Sequence, residues 1–117
     1  MALFPCLQGS GGSAITAATL NATSPVSIDA GHIAVASAWR HSQSGTPTAT
    51  ITVSGTEGTD YEILLSDSTT KYISGQLTDD YACKALVIKA INNVTITLSH
   101  SGGTNYPSGG AMVYDLS

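Results

Sequence analysis

Three histidines are the side chains of this 117-residue chain best suited to acid–base chemistry: His32, His41 and His100. A hydrolase would need two of them to converge with an acid near a nucleophile. The sequence has no Gly-x-Ser-x-Gly nucleophile elbow, and no helical pattern follows the Gly-rich segment 9–12, which therefore does not read as a phosphate loop. We expect histidines of turns or of the surface, no catalytic residues and no enzymatic activity.

Metal-binding patterns are equally weak. There is no His-x-x-x-His or Cys-x-x-Cys spacing, so a zinc site is unsupported. Asp79 with Asp80, or Asp60 with Glu62, would offer loop carboxylates to calcium. Solvated acidic turns are the commoner use of such residues, and the prediction is no metal and no cofactor.

Two cysteines, Cys6 and Cys83, are too few for a disulfide framework. We expect buried free thiols, because unpaired cysteine behaves as a small apolar residue. The sharper alternative is a disulfide that pins the N-terminal segment to the body of the protein.

Carbohydrate binding would require exposed aromatic rings with amide or acid neighbours. Tyr106 lies beside Asn105 in a Gly-rich loop, and Trp39 ends a predicted strand next to Arg40. Trp39, Tyr106 and Asn105 are therefore the candidate glycan contacts. The low aromatic content, 6% of residues, argues against this use.

The charge balance limits the classes of partner that we expect this protein to bind. Four basic and eight acidic residues give a net charge of −4, which argues against binding to nucleic-acid phosphates. No run of eighteen apolar residues is present, so we expect no membrane span. Only 10% of residues are charged, and such a surface is typical either of protein contacts or of a neutral, Thr-coated β-domain.

Residues 1–13 differ from the rest of the chain. An apolar tip is followed by the flexible Gly/Ser linker Gly9–Ser13. Because apolar side chains left in water cost free energy, we expect the tip to dock, either on its own fold or on a partner, rather than to fray. The residues predicted to make that contact are Leu3, Phe4, Pro5 and Leu7.

Residues 14–117 read as one β-sandwich domain. About eight short strands with alternating apolar and polar residues are separated by turn formers, and one such turn is expected at residues 66–69. No helical period of ten residues occurs. The pattern predicts an all-β, antiparallel two-sheet sandwich, jelly-roll-like in preference to immunoglobulin-like, with an extended N-terminal arm.

The densest β-branched stretch, Lys84–His100, predicts two strands around Asn92 and Asn93. A hairpin with a three-residue loop would place Lys89 among threonines rather than in the core, and we favour it. The alternative is two strands in different sheets joined by an Asn corner.

Two strand faces are candidates for contacts between copies. Alanines alternate along the strand around residue 36 and would permit close approach by a neighbouring sheet or chain. The C-terminal strand offers a second, larger apolar face. The predicted oligomer interface comprises Ala34, Ala36, Ala38, Met112, Tyr114 and Leu116.

The apolar start Met1–Cys6, followed by Gly-Ser-Gly-Gly, resembles the starts of small tail-associated proteins of phages and prophages. The segment Ile28–Ile33, the Thr-rich strands and the end Gly110–Leu116 are similar in style to jelly-roll accessory domains of virions. This resemblance implies a decoration, head-fibre or tail-associated protein, usually a symmetric oligomer attached through its N-terminal arm.

Together these observations predict a non-enzymatic structural protein of a phage virion, assembled in the bacterial host cytoplasm. Its partners would be a capsid or tail protein, docked through the arm, and further copies of itself, a trimer by analogy. The rival prediction is a carbohydrate-binding or adhesin module that binds a host glycan. A small hydrolase is the third class.

Overall fold

The computed structural model describes residues 15–20, 25–71 and 80–116 of the chain. The arm predicted to dock, with Leu3, Phe4, Pro5 and Leu7, lies outside the described residues, and so does Cys6. Within the described ranges the structure is all-β, as predicted.

The described residues form eight strands in two antiparallel sheets. One sheet has five strands in the order β1-β8-β3-β6-β5, and the other has three in the order β2-β7-β4. The strands are β1 Ile15–Leu20, β2 Val26–Ile28, β3 Ile33–Ser42, β4 Thr48–Val53, β5 Tyr61–Lys71, β6 Asp80–Ala90, β7 Val94–Ser101 and β8 Ser108–Leu116.

The order of the strands confirms the jelly-roll-like sandwich. From β1 to β5 each successive strand belongs to the opposite sheet, and β6 to β8 alternate in the same way. Only β5 and β6 are consecutive and paired with each other. Neighbours within a sheet are therefore mostly distant in sequence, as in double-sheet jelly rolls.

The core lies between the two sheets and is built from alternate residues of the strands. On β7, Val94, Ile96 and Leu98 are buried, whereas the alternate residues Thr97 and Ser99 are exposed. This is the period of two that a strand with one dry face requires. Burying these β-branched and leucine side chains against the facing sheet is the main stabilising contribution.

The segment Lys84–His100 spans two sheets, so the favoured hairpin is wrong and the Asn-corner alternative is right. Its first arm belongs to β6 in the five-stranded sheet, and its second arm is β7 in the three-stranded sheet. The three-residue connection at 91–93 and the burial of Ile88 and Ala90 agree with expectation. These residues meet those of β7 across the core instead of along a shared ladder.

The alanine face of β3 belongs to the core, which corrects its prediction as an oligomer interface. Ala34, Ala36 and Ala38 are at most 1% exposed and join the same buried cluster as Ile96 and Leu98. Their small side chains let the second sheet approach β3 closely. A face already covered within the chain is not available to another copy.

The turn expected at residues 66–69 is also wrong, because β5 continues through this region to Lys71. Residues 66–70 are all exposed at the edge of the sheet, and they are polar for that reason. A strand that is exposed to solvent on both faces lacks the alternation of apolar and polar residues from which a strand is predicted.

Candidate interaction surface

The outer face of the five-stranded sheet, defined here as the side chains that point away from the three-stranded sheet, carries a row of apolar residues. Leu65 of β5 lies opposite Val87 of β6, which lies opposite Val35 of β3, and Val35 in turn faces Tyr114 of β8. The row crosses four strands. Since the core is on the other side of the sheet, internal packing between the sheets does not explain this row.

Exposure along the apolar row is uneven, and Val35 and Tyr114 are half-buried. Leu65 is 54% exposed, whereas Val87 in the next strand is only 4% exposed. At the end of β8, Leu116 lies beside Ile33 and is 1% exposed. The β5 end of the row is therefore open to solvent.

Three predicted interface residues lie on this face. Met112 and Tyr114 are half-buried and point away from the core, so their role between copies stays a prediction. Leu116 is buried, and the prediction that it packs against another copy is wrong for the same reason as for the alanines: its surface is already covered.

Away from the end of the sheet that contains Leu116, the outer face becomes polar. Ser37 lies between Met112 and Ala85, and Ala85 lies opposite Asp67. A shallow depression of about 140 Å³ opens here, lined by Ser37, Asp67, Ser68, Thr69, Cys83, Lys84 and Ala85. The expected burial of Cys83 is wrong, because its thiol is free and exposed beside this depression.

Trp39 stands on the same outer face, next to the depression. It is 39% exposed and lies opposite both Cys83 and Gly110. A Cβ on Gly110 would come within 2.8 Å of Trp39 Nε1, so the indole lies directly over this glycine. The indole of Trp39 therefore packs on this glycine and lies outside the core between the sheets.

The other two candidate glycan contacts lie in the loop before β8. Tyr106 is 80% exposed, and both Asn105 and Tyr106 have left-handed backbone conformations, with φ of 59° and 55°. Gln43 N–H donates to the carbonyl of Asn105 at 3.0 Å. Because Gln43 is four residues beyond Trp39, the backbone of this loop lies about 13 Å from that of Trp39 along the strand direction. The structure therefore places Trp39 apart from the other two.

The loop that presents Tyr106 is held by hydrogen bonds to the loop after β3. Ser44 and Thr104 exchange both backbone hydrogen bonds, at 3.2 and 2.7 Å, and their hydroxyl groups are 2.8 Å apart. The amide of Asn105 donates to Ser44 Oγ at 3.2 Å. These contacts use the carboxamide that was a candidate for a glycan, and they fix the loop in place.

The structure places His32 far from His100. His32 Nδ1 lies 2.8 Å from Asp115 Oδ1 at the end where β3 begins. His100 accepts from the Arg40 guanidinium at 3.3 Å near the other end of the sandwich. His32 and Arg40 are eight residues apart, or about 26 Å along the strand. The convergence that a hydrolase needs is not formed by these two histidines.

Asp60 organises the turn before β5. The sequence suggests it only as a calcium ligand together with Glu62. Its Oδ2 accepts from the backbone of Thr56 at 2.8 Å, and its Oδ1 accepts from the amide of Asn92 at 3.1 Å. These two bonds, the Thr56 bond first, lower the pKa of Asp60 below its ordinary value of 3.8. Its partner Asn92 is remote in sequence, so no local pattern around Asp60 predicts this contact.

No group of three or more His, Cys, Asp or Glu residues in residues 15–20, 25–71 and 80–116 is placed to hold a metal ion. No helix in this part of the chain is long and apolar enough to cross a membrane. Comparisons with protein families, with curated proteins and with solved structures found no match.

Proposed function

We propose that this chain is a non-enzymatic structural protein that acts by contact with other proteins, and that the outer face of the five-stranded sheet is its assembly surface. The observation that supports this is the apolar row from Leu65 to Tyr114, whose β5 end is open to solvent. Contiguous apolar side chains on a surface poor in charge are typical of protein interfaces.

The contact is made by side chains of the face rather than by addition of a strand to the sheet edge. Leu64 and Leu65 are both about half exposed on β5, which is an edge strand. Leu64 is the extra residue of a β-bulge, and Glu62 and Asp67 on the same strand are charged and exposed. Bulges and charges protect edges against strand pairing, which leaves the leucine side chains as the available surface.

The partner at this surface is another copy of the chain, since most soluble assemblies are symmetric homo-oligomers. The trimer expected by analogy stays a prediction. The setting that we propose is a phage virion, where the N-terminal arm attaches the protein to a capsid or tail protein. Support for that setting comes from the sequence resemblance described above.

Light scattering after size exclusion, on the full chain and on Leu65→Glu, tests the assembly surface. A buried leucine contributes roughly 1.5–3 kcal/mol, so the added carboxylate should weaken self-association by at least about tenfold. Thr52→Glu is the matched control, because Thr52 is an exposed strand residue of the other sheet. A wild-type chain that is monomeric at all concentrations would overturn self-assembly.

Glycan binding is the second candidate, and the exposure of two aromatic rings favours it. Trp39 and Tyr106 are both exposed, and the loop that carries Tyr106 is fixed by the hydrogen bonds between Thr104 and Ser44. Rigid, exposed aromatic residues are suited to recognition at low entropic cost. Their separation means that each ring would contact a different part of an extended glycan.

Because Trp39 is the only tryptophan, its fluorescence reports on this candidate directly. Titration with an oligosaccharide panel should shift the emission, and Trp39→Ala and Tyr106→Ala should each reduce binding on a glycan array. Tyr61→Phe, away from both rings, serves as the control. Unchanged binding in both alanine variants would remove these residues from any glycan site.

A further inference from the structure

The edge strands of the two described sheets differ in their protection against pairing with another chain. β5 has a bulge between Ile63 and Leu65 and carries charged side chains, β1 has an irregular register between Ile15 and Ala17, and β2 is only three residues long. β4 has six residues, a regular register with β7, and neither a charged residue nor a proline. Bulges, charges, prolines and short length are the features that keep edges from pairing, so the edge of β4 is open to an additional strand.

The hydrogen-bonding groups at the open edge of β4 follow from its ladder with β7. Ser54 N–H donates to the carbonyl of Thr95 at 2.9 Å, directly after the pair of Val53 and Ile96. In an antiparallel ladder, alternate residues direct their N–H and C=O groups to the partner strand, so every second residue of β4 bonds to β7. No described strand lies on the other side of β4. The residues that direct their N–H and C=O groups to that side are Ala49, Ile51 and Val53.

A shelf formed by β5 and β6 lies beside this edge. β4 packs over β3 and β6, and β5 is the next strand beyond β6. Ser66 lies opposite the buried Leu86 and therefore points to the core side of the sheet, yet it is exposed, as is Ser68 opposite Lys84. The three-stranded sheet thus does not cover β5 here. A depression of about 140 Å³ remains between β4 and β5, and its lining includes Ile51, Ser66, Ser68, Lys84 and Leu86.

We propose that the edge of β4 and this shelf bind an extended peptide segment of a partner protein, which adds to the three-stranded sheet next to β4. A row of backbone N–H and C=O groups is matched by the backbone of an extended chain, which is how peptides bind at open sheet edges. Alternate side chains of the added segment would lie over the shelf. Because Lys84 is exposed there, the segment carries an acidic side chain at that place. The site is separate from the assembly surface, which lies on the opposite face of the five-stranded sheet.

A second copy that paired through its own β4 does not fit this site. Antiparallel pairing would place the two β4 strands about 4.8 Å apart. In each copy β5 projects beyond β4 by at least about one strand spacing, so the two β5 strands would occupy the same space. The occupant is therefore a single extended segment with no second sheet beneath it.

Hydrogen exchange of individual amides, measured by NMR on the full chain, tests the site. The probe is an end-blocked synthetic heptapeptide in which threonine alternates with valine and aspartate replaces the central valine. In the free protein the edge amides, those of Ile51 and Val53, should exchange fast. Those of Thr50 and Thr52 bond to β7 and should exchange slowly. Saturating peptide should slow the edge amides at least about tenfold and the other two less than about twofold. Edge amides that are already slow in the free chain, or that stay fast with the peptide, would overturn the proposal.

Methylation of the peptide backbone gives a matched pair of controls. Residues directly opposite each other in an antiparallel pair point to the same face, and at the edge of β4 the pairs that exchange hydrogen bonds include Ile51. N-methylation of the aspartate should therefore abolish the protection of the Ile51 amide. N-methylation of an adjacent threonine, whose N–H points away from β4, should retain it. Equal effects of the two methylations would overturn strand addition.

Lys84→Glu tests the acidic side chain of the partner. The wild-type chain should bind the aspartate peptide about threefold more tightly than the same peptide with lysine at the central position, because an exposed ion pair contributes little. In Lys84→Glu this preference should reverse. An unchanged preference would overturn the assignment of an acidic partner. Since these variants and peptides leave the outer face unaltered, the result does not depend on self-assembly through Leu65.

Discussion

The side-chain amide of Asn92 donates to Asp60 Oδ1 at 3.1 Å, and the backbone N–H of the same asparagine donates to the Asp60 carbonyl at 3.0 Å. Ile91 N–H donates to that carbonyl as well, at 2.8 Å. Asp60 thus joins the turn before β5 to the corner between β6 and β7. Both connections lead from one sheet to the other, so this pair ties the two sheets together at one end of the sandwich.

The stability of this junction should depend on pH in the acidic range. The pKa of Asp60 is lowered by its hydrogen bonds to Thr56 and Asn92, so the folded state favours the carboxylate. Its contribution is complete above the ordinary pKa of 3.8 and is lost as the pH falls through the lowered value. Denaturant titrations from pH 7 to pH 2 should show Asp60→Asn less stable than wild type at pH 7 and the difference shrinking below pH 4. Glu57→Gln, in the same turn, is the control, and a difference that is constant over the whole range would contradict this role.

Two glycines of this turn should differ in their tolerance of alanine. Gly55 and Gly58 both have left-handed backbones, with φ of 88° and 87°, so each alanine variant pays a backbone cost of about 1 kcal/mol. At Gly55 the new Cβ would also lie 2.5 Å from Asp60 Oδ2, whereas at Gly58 it would meet nothing within 4 Å. Chemical denaturation should show that the free energy of unfolding of Gly55→Ala is about 1–3 kcal/mol lower than that of Gly58→Ala. Equal losses would mean that the Asp60 side chain moves away at little cost.

Gly110→Ala should displace the indole of Trp39. The added Cβ would lie 2.8 Å from Nε1 and 3.0 Å from Cε2, so the ring has to shift. Because the indole is partly exposed and free to move outward, we expect a loss of only about 1 kcal/mol together with a red shift of tryptophan emission. Ser108→Ala, two residues earlier on β8, is the control. An unchanged emission spectrum would show that the ring does not rest on this glycine.

Ala36→Val and Ser37→Val should have different effects on stability, because the two residues lie on opposite faces of β3. Ala36 is 1% exposed between the sheets, and overpacking there should cost about 1–3 kcal/mol of unfolding free energy. Ser37 points outward, where substitutions usually change stability by about 0.5 kcal/mol or less. Thermal or denaturant unfolding measures both. If Ala36→Val instead left stability unchanged and altered the oligomeric state, the alanine face would be an interface after all.

The segment from β6 to β7 shows which features of the fold a local sequence pattern can predict and which it cannot. Alternation identified the buried residue Val94. The cost of burying Lys89 favoured the three-residue connection and placed Ile88 in the core. A hairpin and a corner between sheets both place these residues in the same core, so the pattern is identical for the two. Which strand lies beside β7 is decided by β2 and β4, both distant in sequence.

The candidate surface shows the same division. The sequence by itself determined the all-β class, the alternating faces of β3 and the absence of a helical period, because these follow from residues that are close along the chain. Only the tertiary structure decided that the Ala36 face is core while the Val35 face lies outside, since both faces of β3 are apolar and either would satisfy a sheet. It also aligned Leu65, Val87, Val35 and Tyr114 in one row, because a row across strands is made by hydrogen-bond register between segments that no local pattern connects.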